Sequence, residues 1–109
     1  MLAKKYRLPV QSTREMRGRT VPFPEFSVKV FLSKLPYARF GVVLKKGIVK
    51  KASDRTRLRR SIFNALRATE APKLFPGSDL LFIVNASAAR IDPKELSRSV
   101  SAAVRRIAG

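Results

Sequence analysis

The stretch VKKASDRTRLRRSIFNAL, residues 49–66, decides how the rest of the chain reads. Ser53 or Asp54 offers a side-chain oxygen that can accept a hydrogen bond from a free amide at a helix start. Behind them Leu58, Ile62, Ala65 and Leu66 recur at i, i+4, i+7 and i+8, the apolar stripe of an amphipathic helix. Counting about 100° per residue from Leu58 places Arg57, Arg59 and Arg60 on the side and back of that helix. Arg55 lies nearer the stripe, in the first turn, from which it can swing outward.

Upstream, ARFGVVLKK (38–46) has strand character, with Phe40, Val42 and Leu44 on one face. Before it, EFSVKVFLS (25–33) alternates: Phe26, Val28, Val30 and Leu32 point one way, and Ser27, Lys29, Phe31 and Ser33 the other. KLPY (34–37) reads as a turn, because Pro36 lacks a backbone donor, so the two strands are expected to pair as a hairpin. Phe31 either presents an aromatic surface beside Lys29 or is buried in a second small core under the terminal helix. Downstream, APKLFPGS (71–78) ends the helix as a loop. DLLFIV (79–84) is a continuous apolar run, which suggests a central strand covered on both sides. IDPKEL (91–96) opens a last helix: Asp92 caps, Pro93 takes the first position, Glu95 can complete a capping box, and Ile91 can staple onto Leu96. Its core face is Leu96, Val100, Ala103, Val104 and Ile107. Residues 1–24 are basic and irregular, with Pro9, Gly18, Pro22 and Pro24 leaving at most two helical turns around Thr13–Met16.

These elements predict a single domain over residues 1–109, an irregular basic segment (1–24) followed by an α/β core (25–109). The fold class is α+β, an α/β sandwich with a small mixed sheet and the order short α, β, β, α, β, α. The basic helix joins residues 39–46 to 79–84 as parallel strands, for which general rules favour a right-handed crossover.

The charge sets the function class. Twenty-four Lys and Arg face seven Asp and Glu, a net charge of +17. A hydrophobic fraction of 45% argues against a disordered basic tail. The front of the helix has no acidic partners at i±4. Positive charge in a first turn opposes the helix dipole, yet acts together with that dipole on a docked phosphate. Such an arrangement is a binding site for a polyanion, and nucleic acid is favoured over a membrane surface. A basic loop and strand, rather than a tight helical turn, precede the helix, unlike most duplex DNA readers. The absence of His and Cys excludes zinc sites and thiol or imidazole catalysis. The scattered carboxylates argue against a stand-alone two-metal nuclease. No apolar run is long enough to span a bilayer, and MLAKKYRLPV lacks the apolar core of a signal peptide. A cytoplasmic protein is therefore expected, and a chain without Cys fits a reducing compartment, among others.

The order RFGVVLKKGIVKKASDRTRLRRSIFNAL, then GSDLLFIVNASAARIDPKEL, resembles the bacterial ribonuclease P protein component over roughly residues 39–107. That family carries a strand ending in Lys, then a basic helix with an Arg-Asn-Arg core, an apolar residue and Lys-Arg; here the run is Arg55-Thr56-Arg57-Leu58-Arg59-Arg60. Thr56 replaces the family's Asn, the loop before the motif is about one residue longer, and the N-terminal helix is shortened and Pro-broken in residues 7–24. The resemblance implies an α/β sandwich with a left-handed βαβ crossover. It also implies an RNA-binding subunit that assists a catalytic RNA, which uses Mg²⁺, in removing the 5′ leader of precursor tRNA. The protein would supply no catalytic residue, bind no metal by itself, and be monomeric outside the ribonucleoprotein. By the family pattern, catalytic-RNA binding falls to Lys45, Lys46, Lys50, Lys51, Arg55, Thr56, Arg57, Arg59 and Arg60, and leader contact to Lys29, Phe31 and Val43. The alternative is a structural RNA-binding protein with the same charge logic and no part in tRNA processing.

Overall fold

The computed structural model describes residues 3–9, 18–45, 47 and 49–108. Four strands form one sheet: β1 (Gly18–Pro22), β2 (Phe26–Leu32), β3 (Arg39–Leu44) and β4 (Ser78–Val84). The helices are α1 (Ala52–Ala68), α2 (Ala71–Leu74), α3 (Ala86–Arg90) and α4 (Pro93–Ala108), with a 3-10 turn at Lys4–Tyr6. The spatial order is β1-β2-β4-β3. β4 is central, as its apolar run predicts. It pairs antiparallel with β2 and parallel with β3, in register from Arg39 opposite Asp79 to Leu44 opposite Val84.

The expected hairpin between residues 25–33 and 39–46 does not form. β4 inserts between the two strands, and β2 takes its hairpin partner from the other side, β1. Residues 18–22 are thus an edge strand rather than irregular chain. Gly18, Arg19 and Thr20 are exposed, so β1 carries no alternating apolar signal. Pro22, a breaker in the sequence reading, is tolerated at the end of an edge strand. Gly18 is needed there because a Cβ would collide with the Val30 carbonyl of β2. The suggested helical turns at Thr13–Met16 lie outside the described residues.

Side-chain alternation divides the sheet into two faces. Phe26 and Val28 of β2, Phe40 and Val42 of β3, and Leu80, Phe82 and Val84 of β4 are buried on one face. There they pack with Ile62, Phe63, Ala65 and Leu66 of α1 and Leu96, Val100, Ala103 and Val104 of α4. Burial fades along β2 from Val28 through half-buried Val30 to Leu32, which is 90% exposed, so Leu32 does not belong to the core face as expected. β2 runs past the helical layer at this end. On the opposite face Leu8, Phe31 and Leu81 form a second small core with Val43 and Ile83 packed against it. Phe31 is therefore buried, in a cluster with Leu8 and Leu81 and not under α4. The Leu8 amide donates to the Phe40 carbonyl at 2.8 Å, and Arg7 bridges Phe40 in parallel, so this segment lines the free edge of β3.

Asp79 is the one buried charged residue among those described. The Arg39 guanidinium meets it through two bonds, Nε to Oδ1 at 3.1 Å and Nη2 to Oδ2 at 2.8 Å. The hydrogen bond to Asp79 raises the Arg39 pKa above its ordinary value, against the opposing effect of burial. Residues 71–74 form a short helical turn instead of continuous loop. α3, a single turn not foreseen in the sequence, is capped by the Asn85 side chain, which accepts from the Ser87 amide. At the α4 start Pro93 takes the first position and Asp92 accepts from the Lys94 amide at 2.8 Å, as expected of the cap.

Candidate nucleic-acid interface

The start of α1 is built differently from its best capping residues. Its N-cap is Lys51, which offers no side-chain acceptor, whereas Ser53 and Asp54 both lie inside the helix. The Lys51 carbonyl instead accepts from the Asp54 and Arg55 amides, at 3.2 Å each. Arg55 ties this early start to the loop before it. Its guanidinium does not swing outward but folds back, donating to the carbonyls of Val49 and Lys50 at 3.2 Å. It braces the loop that enters the helix. Asp54 is left in the first turn, where its negative charge favours the helix dipole.

The other cations of this region are free to meet a partner. Lys45, Lys50, Lys51, Arg57, Arg59 and Arg60 are all exposed. The ion pairs among the described residues are Arg39 with Asp79 and Lys73 with Glu70, so none of these six is neutralised by the chain's own carboxylates. Lys46 lies outside the described residues. Thr56 is exposed, but its hydroxyl donates to the Ala52 carbonyl at 3.1 Å, one turn back along the helix. The N-cap leaves the first amides of α1 without a side-chain acceptor, so their partial positive charge adds to that of the side chains. The arrangement can bind several phosphates along one helix front.

The residues assigned to leader contact are less uniform. Lys29 is exposed on the sheet face that also carries Phe31, Val43 is half-buried, and Phe31 is 2% exposed. At 2% exposure Phe31 has no open ring face on which a base could stack. Between the front of α1 and the corner joining α3 to α4 the structure also shows an open pocket of about 390 Å³ that the sequence did not reveal. Of its lining residues, Asp54 is a cap candidate in the sequence and Lys50 and Arg57 are RNA-contact candidates; nothing in the sequence brings Ala89 or Ile91 beside them.

A small α/β domain, one sheet face under two helices and an unneutralised cationic helix front, is an RNA-binding architecture. The family model Ribonuclease P matches residues 11–108. The ribonuclease P protein component of Clostridioides difficile (strain 630) is 33% identical over 79 residues, covering 72% of this chain and 68% of that protein. Among solved structures, a Staphylococcus aureus RNase P protein mutant with defective mRNA degradation activity superposes with a TM-score of 0.81 at 20% identity, covering 96% of this chain and 89% of that one. The RNase P protein from Thermotoga maritima superposes at 0.77 with 23% identity, covering 94% and 98%.

The chain belongs to the ribonuclease P protein family. It is a protein subunit of that ribonucleoprotein endoribonuclease, and its partner is the ribonuclease P RNA. No helix among the described residues is long and apolar enough to cross a membrane.

Proposed function

We propose that the front of α1 and its entering loop bind the catalytic RNA through Lys45, Lys46, Lys50, Lys51, Arg57, Arg59 and Arg60, with Arg55 holding the loop in shape and Thr56 contributing through the helix backbone. In the holoenzyme the RNA carries the chemistry and its Mg²⁺. Among the described residues no three carboxylates converge into a metal site, and no step is assigned to a protein-bound ion. The observation that carries the reading is the absence of carboxylate partners for the exposed cations at the start of α1. The same charge then costs little in the complex, where each neutralised phosphate releases a counterion.

The 5′ leader of precursor tRNA runs over the sheet face that carries Lys29, Phe31 and Val43, with Phe31 buried within that face. The protein acts as a monomer outside the ribonucleoprotein and works in the cytoplasm. The test is precursor tRNA incubated with the cognate catalytic RNA at low Mg²⁺, with and without the protein. Stimulated cleavage at the 5′ leader supports the proposal. Tight binding to the catalytic RNA without stimulation refutes the leader-processing part of it.

A further inference from the structure

The pocket beside α1 is not explained by phosphate binding. Its lining is mixed: Leu58, Ile91, Pro93 and Leu96 are apolar, and Lys50, Asp54, Arg57 and Ser61 are polar or charged. Its volume, about 390 Å³, is in the range of sites that enclose a small planar ligand. The Asp54 carboxylate is half-buried and makes no hydrogen bond or ion pair within the described residues. An acid in the middle of a cationic surface repels a phosphate. It is suited instead to a neutral group that presents N–H donors.

We infer that this pocket takes one unstacked guanine of the ribonuclease P RNA. The inference rests on the reading of the α1 front as the RNA interface and names what that interface reads besides charge. A base lying on Leu58 and Ile91 buries its faces against apolar side chains. Guanine is the nucleobase whose Watson–Crick edge offers two parallel donors, N1–H and N2–H, which match the two oxygens of one carboxylate. Arg57, exposed and also lining the pocket, meets a phosphate flanking the extruded nucleotide. Single-stranded RNA is commonly recognised in this way, by splayed bases held at their edges and faces. The dipole role of Asp54 accounts for an acid in the first turn, but not for the Leu58, Ile91 and Leu96 side chains that line a pocket with it.

Three full-length variants separate the possibilities when titrated with the cognate ribonuclease P RNA at several salt concentrations, each checked for folding by circular dichroism. Ala89→Phe, at an exposed position on the pocket wall, fills the space; Asp54→Asn keeps the shape but not the acceptor pair; Arg60→Gln removes a cation outside the pocket. Ala89→Phe is expected to weaken binding about tenfold, the scale of a lost base-stacking contact. Asp54→Asn should weaken it several-fold, and both should leave the salt slope as in the wild type. Arg60→Gln should instead flatten the slope by about 0.7–0.9. A photoreactive group on an Ala89→Cys variant should mark a single-stranded guanine. Replacing that guanine by inosine, which lacks the N2 amine, should cost the wild type several-fold and Asp54→Asn nothing. Unchanged affinity for Ala89→Phe, or a cross-link to a base other than guanine, overturns the pocket while leaving the α1 interface standing. An unchanged slope for Arg60→Gln overturns the interface reading, and the pocket assignment with it.

Discussion

Replacing Arg57, Arg59 and Arg60 together with Gln isolates the electrostatic contribution of the helix front. All three side chains are exposed and none is in an ion pair. Gln is close to Arg in helix propensity, so stability should move by no more than about 0.5 kcal/mol. By the helical period, Arg60 lies about 60° from Arg57 and about 100° from Arg59. The three therefore cover the solvent half of the helix, within reach of a backbone that crosses it. If each contacts one phosphate, the slope of log K against log salt falls by about 0.7–0.9 per residue, or about 2.1–2.7 in all. Between 50 and 200 mM salt the wild type should thus lose about 20- to 40-fold more affinity than the variant. The net charge drops from +17 to +14, so a control is required: Lys34, Arg98 and Arg105→Gln removes the same charge from exposed positions elsewhere. Equilibrium binding to the catalytic RNA across the salt range reads both variants. An equal flattening in the two would mean that bulk charge, not this helix, holds the RNA. No flattening in the first would mean that α1 faces solvent in the complex.

Other outcomes follow from the same contacts. Arg39→Met strands the Asp79 carboxylate, 1% exposed, without its bidentate partner; a urea titration should show a loss of about 3–5 kcal/mol. Leu8→Ala removes a buried side chain from the small core it shares with Phe31 and Leu81 and should cost about 2–5 kcal/mol in the same assay. Gly18→Ala drives a Cβ into the Val30 carbonyl, and hydrogen exchange should show β1 amides released while β4 stays protected. Arg55→Gln removes the brace on the Val49 and Lys50 carbonyls, so RNA affinity should fall with a smaller change in salt slope than Arg57→Gln gives.

What the sequence disclosed depended on whether the deciding interaction was local. The α1 stripe, the β4 run and the Asp92 cap are encoded within one or two turns, and each is where periodicity puts it. The β2–β3 hairpin was misread because a turn between two strands predicts pairing only when no third strand competes, and β4 arrives from far along the chain. β1 was hidden because an exposed edge strand has no apolar face to alternate. Leu32 left the core face it was expected to join, and Phe31 took the buried one of its two readings, for a related reason. Burial fades toward the end of β2, whereas the other face carries a small core of its own, to which Leu8 contributes from a segment that reads as irregular. At the interface, the exposed cations could be read from spacing, but the inward turn of Arg55 and the pocket beside Asp54 depend on where a loop and a distant helical corner come to rest.

The central position of β4 also sets an order of assembly. Both β2 and β3 find their main partner only in residues 78–84, so a nascent chain that has left the ribosome as far as α1 holds two strands with unsatisfied edges and a helix without its floor. Non-local pairing of this kind delays closure until the last third of the chain is available. The cationic helix is therefore exposed to cellular polyanions before the domain that positions it exists, and an RNA that engages it early would meet a partner still choosing its shape.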